Sequence, residues 1–395
     1  MNAPDQQTEI ASFTPYPIKQ LPISVTLNDD SLSIIWDDGH RSNYHFIWLR
    51  DNCHCSECIN MLTREQVFEI CDVPFSIKPL RAHITDDHRM IVEWDHEQHI
   101  SQYHPGWLRA HCYNESSLQA KQWQPTLWDK TRIDAELPKS TFDKIMNSDK
   151  QLLIWLRQLR DYGVALITQT PTEPETLVEV ANKISFIRET NFGTIFNVKA
   201  KADANSSAYT NLRLPLHTDL PTRELQPGLQ FLHCLINDAS GGESILVDGF
   251  KIAKYMQKNH PDEFDTLTTV PMSFHNKDRH SDYRFRSTII MTDDNNEIVE
   301  VRLANFLRGP VDVPAHQTIA LYRAYQCFIK LTRDTQFEFF YKLNAGDLIV
   351  FDNRRVLHAR NAFDLASGSR HLQGCYVDRD ELLSRIRVLE RSENP

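Results

Sequence analysis

Two hydrophobic periods divide this chain. Apolar and polar residues alternate through Ile23-Ser-Val-Thr-Leu27 and Leu32-Ser-Ile-Ile-Trp36, with Asn28-Asp-Asp30 and Asp37-Asp-Gly39 following each run. A period of two puts every second side chain on one face of a strand, and Asp, Asn and Gly favour turns, so the pattern predicts a meander of short strands. A second pair, 76–84 and 90–94, flanks the polar turn Thr85-Asp-Asp-His88. Residues 113–150 are polar and carry Pro125 and Pro138, which predicts a connection with one short helix. That places a small β-rich unit at 1–125 and a larger unit at 126–395.

In the larger unit the period first becomes helical. Leu152, Leu153, Trp155, Leu156 and Leu159 follow Ser148, which with Gln151 can form a capping box, and Gly163 marks the end. Val164-Ala-Leu-Ile167 then reads as a buried strand, and 174–187 as a second helix with Pro174 in its first turn. After residue 190 the apolar runs are mostly short and bounded by turn residues, at 228–234, 244–247, 299–303 and 348–351, with one longer helical stretch at 319–331. The larger unit is therefore expected to be mainly β, a sandwich flanked by helices. No internal repeat or low-complexity tract is present.

Charge narrows the partners. The net charge is -10, and no basic run offsets it, which argues against a partner bound through phosphates such as nucleic acid. The opening MNAPDQQTEIASF has neither the basic region nor the apolar core of a signal peptide, and no run of about eighteen apolar residues occurs. A soluble, cytoplasmic protein without a membrane partner is expected. Of the 8 cysteines, Cys53, Cys55 and Cys58 are bunched, whereas Cys71, Cys112, Cys234, Cys327 and Cys375 are scattered. Bunching fits a metal site better than a disulfide framework. By spacing alone both zinc and unpaired thiols stay open, because the second Cys-x-x-Cys of a zinc ribbon is missing; an iron–sulfur cluster would need Cys71 as its fourth ligand.

Two residues apart on a strand, His and Asp leave from the same face, so His-x-Asp can supply two ligands of a non-haem iron site that needs two histidines and one carboxylate. Chance alone supplies such triplets, and this chain contains His217-Thr-Asp219, His260-Pro-Asp262 and His280-Ser-Asp282. The second begins a helical stretch and the third lies in a charged run, both readings of solvated surface. His217-Thr-Asp219 instead follows Leu214-Pro-Leu216 and precedes the apolar Leu229-Gln-Phe-Leu232, which suits the mouth of a buried sheet. The candidate third ligand is His358, after the buried run Leu348-Ile-Val-Phe351. Arg370 follows, where a guanidinium can pair bidentately with the distal carboxylate of 2-oxoglutarate. Asp352 and Arg354 are nearby charges better read as organising the loop, and His371 should face away from Arg370.

These residues carry a resemblance. Leu214-Pro-Leu-His-Thr-Asp219, Pro227-Gly-Leu-Gln-Phe-Leu-His-Cys234, Gly241-Gly-Glu-Ser244, Val247-Asp-Gly-Phe250, Phe351-Asp-Asn-Arg354 and Ser369-Arg-His-Leu-Gln-Gly374 resemble the γ-butyrobetaine dioxygenase and trimethyllysine dioxygenase family, as does Trp48-Leu-Arg-Asp-Asn-Cys-His-Cys-Ser-Glu-Cys58. The resemblance implies a double-stranded β-helix (jelly-roll) catalytic domain with iron on His217, Asp219 and His358 and 2-oxoglutarate on Arg370. It also implies a small zinc-binding domain in which a distant histidine joins the three cysteines. His99 is the best match, with His96 and His104 as rivals. Three thiolates and an imidazole complete a tetrahedron and leave no open position, so that zinc would be structural.

The resemblance further implies a homodimer, and an aromatic cage for a trimethylammonium group at Phe192, Phe196, Tyr209 and Leu220, with Ser206 and Asn305 at the carboxylate-anchoring positions. Leu220 is no ring, and Ser206 stands where the family has asparagine. The implied activity is hydroxylation by dioxygen of a small trimethylammonium substrate, γ-butyrobetaine to carnitine first, with trimethyllysine or a trimethylammonium phosphonate next. The intact His217, Asp219, His358 and Arg370 weigh against a metal-stabilised binding protein that has lost catalysis.

Overall fold

The computed structural model describes residues 16–199, 210–278 and 280–393. They form two compact units, one ending at Trp123 and the other spanning Gln124–Glu393.

The smaller unit contains two three-stranded antiparallel sheets, Pro22–Leu27, Ser31–Trp36 and Arg41–His45, then Pro79–Ile84, Met90–Trp94 and Ile100–Tyr103. Alternate residues of both, among them Ile34, Trp36, Val92 and Trp94, share one core. The two buried indoles keep their N–H groups satisfied by donating to Ser42 and Ser101, 2.9 Å each. Burial of such large side chains then costs no unpaired donor.

The larger unit is a sandwich of two sheets. One has six strands in the order Lys139–Thr141, Val164–Thr168, Leu348–Asp352, Leu229–Asn237, Arg370–Val377 and Phe196–Val198. The other has four, Leu214–His217, Val356–Arg360, Ser244–Asp248 and Phe339–Tyr341. Strand alternation sorts the side chains between layers: Leu348 and Val350 pack on the helices Asp149–Tyr162, Thr176–Ile184 and Arg379–Glu393, while Ile349 and Phe351 point inward with Cys234, Leu372, Leu246 and Val356. The outer face of the smaller sheet is covered by Gly249–Asn259, Pro261–Thr269 and Ala315–Thr332. This is the jelly roll that the resemblance implies.

Local chemistry explains the helix ends. The Ser148 hydroxyl accepts from the Gln151 N–H at 3.3 Å, and Gly163 closes the helix at φ 72°. The second helix is shorter than expected, Thr176–Ile184, because Glu175 sits at φ 72° with its N–H donated to Gln373 Oε1 at 2.6 Å. The stretch 113–150 holds three helices, Glu115–Lys121, Lys130–Glu136 and Phe142–Asn147, rather than one. The last two are anchored by one buried residue each, Ile133 and Ile145, too few to show a period. Among the described residues no helix is long and apolar enough to cross a membrane.

Candidate active site and metal centres

His217 ends one inner strand and His358 lies in its neighbour, directly opposite in register, with ring centroids 4.1 Å apart. Asp219 follows just beyond the strand; its Oδ1 is 3.3 Å from His217 Nε2 and 3.6 Å from His358 Nε2. All three donor atoms lie within 4.8 Å of one another. The other two His-x-Asp triplets stay on the surface, His260 just before the first residue of a helix and Asp282 starting an exposed hairpin strand.

Surrounding groups fix these donors. Fully buried Asn353 accepts from the Asp219 N–H at 2.6 Å and donates to its carbonyl at 3.1 Å, and the Tyr376 hydroxyl donates to Asp219 Oδ2 at 2.7 Å. His217 Nδ1 lies 2.8 Å from the Pro215 carbonyl, which can only accept, so Nδ1 carries the proton and Nε2 presents its lone pair. Burial opposes charge on Asp219, but His358, His217 and the Tyr376 hydrogen bond outweigh it and hold the carboxyl below its usual range. Burial, with His217 adding, pushes His358 down to about 3. One carboxylate and two imidazoles are the donor set that suits a divalent iron with positions left for other ligands.

Arg370, Leu372, Gly374 and Tyr376 share one face of their strand, so the arginine projects into the same interior as the Asp219 cluster. It is 8% exposed, its Nε has no partner, and no ion pair with it occurs among the described residues. Burial pushes it down to about 10, with Arg360 adding repulsion. Gly242, at φ 72°, makes room: a Cβ there would lie 3.1 Å from Arg370 Nε. A buried cation without an anion is costly, and a ligand carboxylate is its natural complement.

Beside Asp219, Leu220, Phe196 and Tyr376 are buried together with half-buried Phe192. The Phe196 ring lies 5.1 Å from Tyr376 and 6.1 Å from Phe192, and it rests on Gly374, where a Cβ would come within 2.5 Å. Phe306 meets the His217 ring edge-on at 5.2 Å, while its neighbour Asn305 is exposed and accepts from Tyr325 at 3.0 Å. Tyr209 and Ser206 lie outside the described residues. Tyr376 and Asn353 are functional residues that the sequence reading passed over. Tyr376 was within reach, since it is six residues past Arg370 and so on the same strand face.

The smaller unit gathers a second donor set. His99 Nε2 is 3.2, 3.7 and 3.8 Å from the sulfurs of Cys53, Cys55 and Cys58, and the four donors lie within 4.8 Å of one another. Neither His96 nor His104 joins them; His54 turns instead to the Trp107 ring, 4.7 Å away. The Cys53 and Cys55 sulfurs raise His99 to about 9. Three sulfurs and one imidazole are as many donors as a tetrahedral metal takes, and Cys71, which is exposed, is not among them.

Comparison with known proteins agrees with both units. The family model of taurine catabolism dioxygenase TauD, TfdA matches residues 120–376, and that of the gamma-butyrobetaine hydroxylase-like N-terminal region matches 23–88. Gamma-butyrobetaine dioxygenase of Pseudomonas sp. (strain AK-1) is 50% identical over 97% of this chain and 100% of its own length. The human gamma-butyrobetaine dioxygenase is 33% identical, covering 92% and 95%, and trimethyllysine dioxygenase of Meyerozyma guilliermondii is 30% identical, covering 94% and 97%. With both units matched and the likeness running almost end to end, this chain belongs to the γ-butyrobetaine and trimethyllysine dioxygenase family of iron(II)- and 2-oxoglutarate-dependent oxygenases.

Proposed function

We propose that this chain hydroxylates γ-butyrobetaine to carnitine, with iron held by His217, Asp219 and His358 and 2-oxoglutarate by Arg370. The full-length 50% identity to a gamma-butyrobetaine dioxygenase is the observation that carries the substrate. When bound, iron and 2-oxoglutarate supply the oxidising power that converts a C–H bond and dioxygen to an alcohol, with succinate and carbon dioxide as co-products.

The chain's own residues do the rest. Asn353 holds the Asp219 backbone and Tyr376 its carboxylate, and the Pro215 carbonyl sets the His217 tautomer. Arg370 neutralises the distal carboxylate of 2-oxoglutarate in a dry interior, where a guanidinium–carboxylate pair is strongest. Phe192, Phe196 and Tyr376 offer ring faces to a quaternary ammonium, which attracts it by ~0.5–2 kcal/mol for a ring. Leu220 adds apolar surface without a π face. That one wall favours a second reading in which trimethyllysine or a trimethylammonium phosphonate is the better substrate.

In the smaller unit, Cys53, Cys55, Cys58 and His99 would hold a structural zinc, a reading supported by a closed set of three sulfurs and one imidazole. The homodimer rests on the family resemblance, and light scattering should return twice the 46.0 kDa of one chain.

The deciding assay is succinate formation by iron-loaded protein in air with 2-oxoglutarate, with and without γ-butyrobetaine, and product mass recorded. Stimulation with a gain of one oxygen is expected. Stimulation by another quaternary amine alone would move the substrate, and succinate from none of them would overturn the dioxygenase reading.

A further inference from the structure

In a metal site of three thiolates and one neutral imidazole, a zinc ion leaves a net charge of -1, and most of that charge here is out of water: Cys53 and Cys58 are each 1% exposed and His99 8%. A buried net charge needs a counter-charge nearby. Arg50, in the helix Phe46–Asp51, is itself only 2% exposed. One guanidinium nitrogen donates to Cys58 Sγ at 3.3 Å, the other lies 3.6 Å from Glu97 Oε2, and the Phe68 ring covers the group at 3.8 Å.

Glu97 makes the second contact informative. It and Gln98 have φ 56° and 54°, two successive left-handed residues without a glycine, and the chain leaves this turn directly into His99. Such a turn persists only where its surroundings hold it. Arg50 therefore grips the cysteine loop with one arm and the histidine turn with the other. Glu57, 3.5 Å from His99 Nδ1, faces the far side of the imidazole.

We propose that Arg50 is the positioning and charge-balancing residue of the Cys53, Cys55, Cys58 and His99 site, joining its two halves and slowing metal loss. The proposal rests on the zinc reading of that site. A cavity of about 770 Å³ is lined by Arg50, Cys55, Cys58, Glu97 and His99, so a small chelator can reach the donors, and retention depends on how firmly they are held rather than on burial alone. Lysine can supply the charge but not a planar fork spanning two partners.

The test uses the full chain purified with zinc, in wild type, R50M, R50K, E97Q and the core variant I34A, whose side chain is fully buried away from the site. Zinc content and the rate of release to a chromogenic chelator are read well below the melting temperature. R50M is expected to release zinc at least about tenfold faster, in the range typical for groups that orient metal ligands, with R50K and E97Q between it and wild type. Release from R50M at the wild-type rate overturns the role of Arg50, as does equally fast release from I34A, which would make the effect general loosening. Should R50M fail to fold, unchanged rates in both R50K and E97Q overturn it. Wild type purified without zinc is a different failure, that of the zinc reading itself.

Discussion

Among the described residues the chain builds two clusters of metal donors, and they differ in ways that suit different work. In the smaller unit three sulfurs surround one imidazole, a guanidinium adds charge balance, and the donor count closes a tetrahedron. In the larger unit three donors converge among the described residues, and the groups around them are a buried arginine whose Nε has no hydrogen-bond partner there and a set of rings. A closed set can hold structure together; an open one can admit a co-substrate and dioxygen. The lesson is that the number of donors and what stands opposite them separate a structural from a catalytic site.

The sharpest break of that contrast is Asp219→Ala. It should lower turnover about a thousandfold or more while leaving the melting curve intact, because the fold rests on the two-sheet core and not on this carboxylate. Turnover near wild type would remove Asp219 from the open site. Next in size, Arg370→Met should raise the apparent KM for 2-oxoglutarate by a factor corresponding to ~2–5 kcal/mol, the usual cost of truncating a buried charge partner. A KM within a factor of about two would show that the co-substrate carboxylate sits elsewhere.

Stripping zinc should act on stability instead. Loss of a few kcal/mol from a unit of this size lowers Tm by ~4–8 °C per kcal/mol, so a downward shift of roughly 10 °C or more is expected by calorimetry. An unaltered melt would deny the closed cluster a structural role. Tyr376→Phe is milder: it removes one hydrogen bond to the Asp219 carboxylate, worth ~1.5–3 kcal/mol for a charged acceptor, so kcat/KM should drop roughly ten- to hundredfold with the ring still in the cage.

The smallest effect lies away from both clusters. His233 is fully buried with both ring nitrogens unpartnered, and burial pushes it down to about 4. Unfolded chains take up a proton below 6.5 while the folded one does not, so this residue costs stability as pH falls from 6.5 toward 4. Comparing wild type with His233→Leu in urea, the acid-side decline should be shallower in the variant by about 1 kcal/mol or less at pH 6. Parallel declines would exclude His233 as a contributor.

How much of this was legible in the sequence follows from chain distance. His217 and Asp219 declare themselves through their spacing of two beside an apolar run, although the strand itself ends at His217 and Asp219 lies just beyond it, and Arg370 because a charge stands out in an apolar strand. Asn353 stayed hidden, since its bonds to Asp219 span 134 residues and nothing local marks a buried asparagine as a clamp. Arg50 was hidden likewise, as its role depends on Glu97 across another strand pair. Helices such as Gly249–Asn259 and Arg379–Glu393 escaped because their buried residues alternate with lysines and arginines, leaving no long apolar run. His99 came from family resemblance alone, among several candidates in one polar stretch.

The most direct test of the central contrast is metal content by mass spectrometry in wild type, Asp219→Ala and Cys58→Ser after loading with both metals. The account predicts one iron and one zinc per chain in wild type, loss of iron with zinc retained in the first variant, and loss of zinc with iron retained in the second. Iron retained without Asp219, or both metals lost from the Asp219 variant while it stays folded, would contradict it.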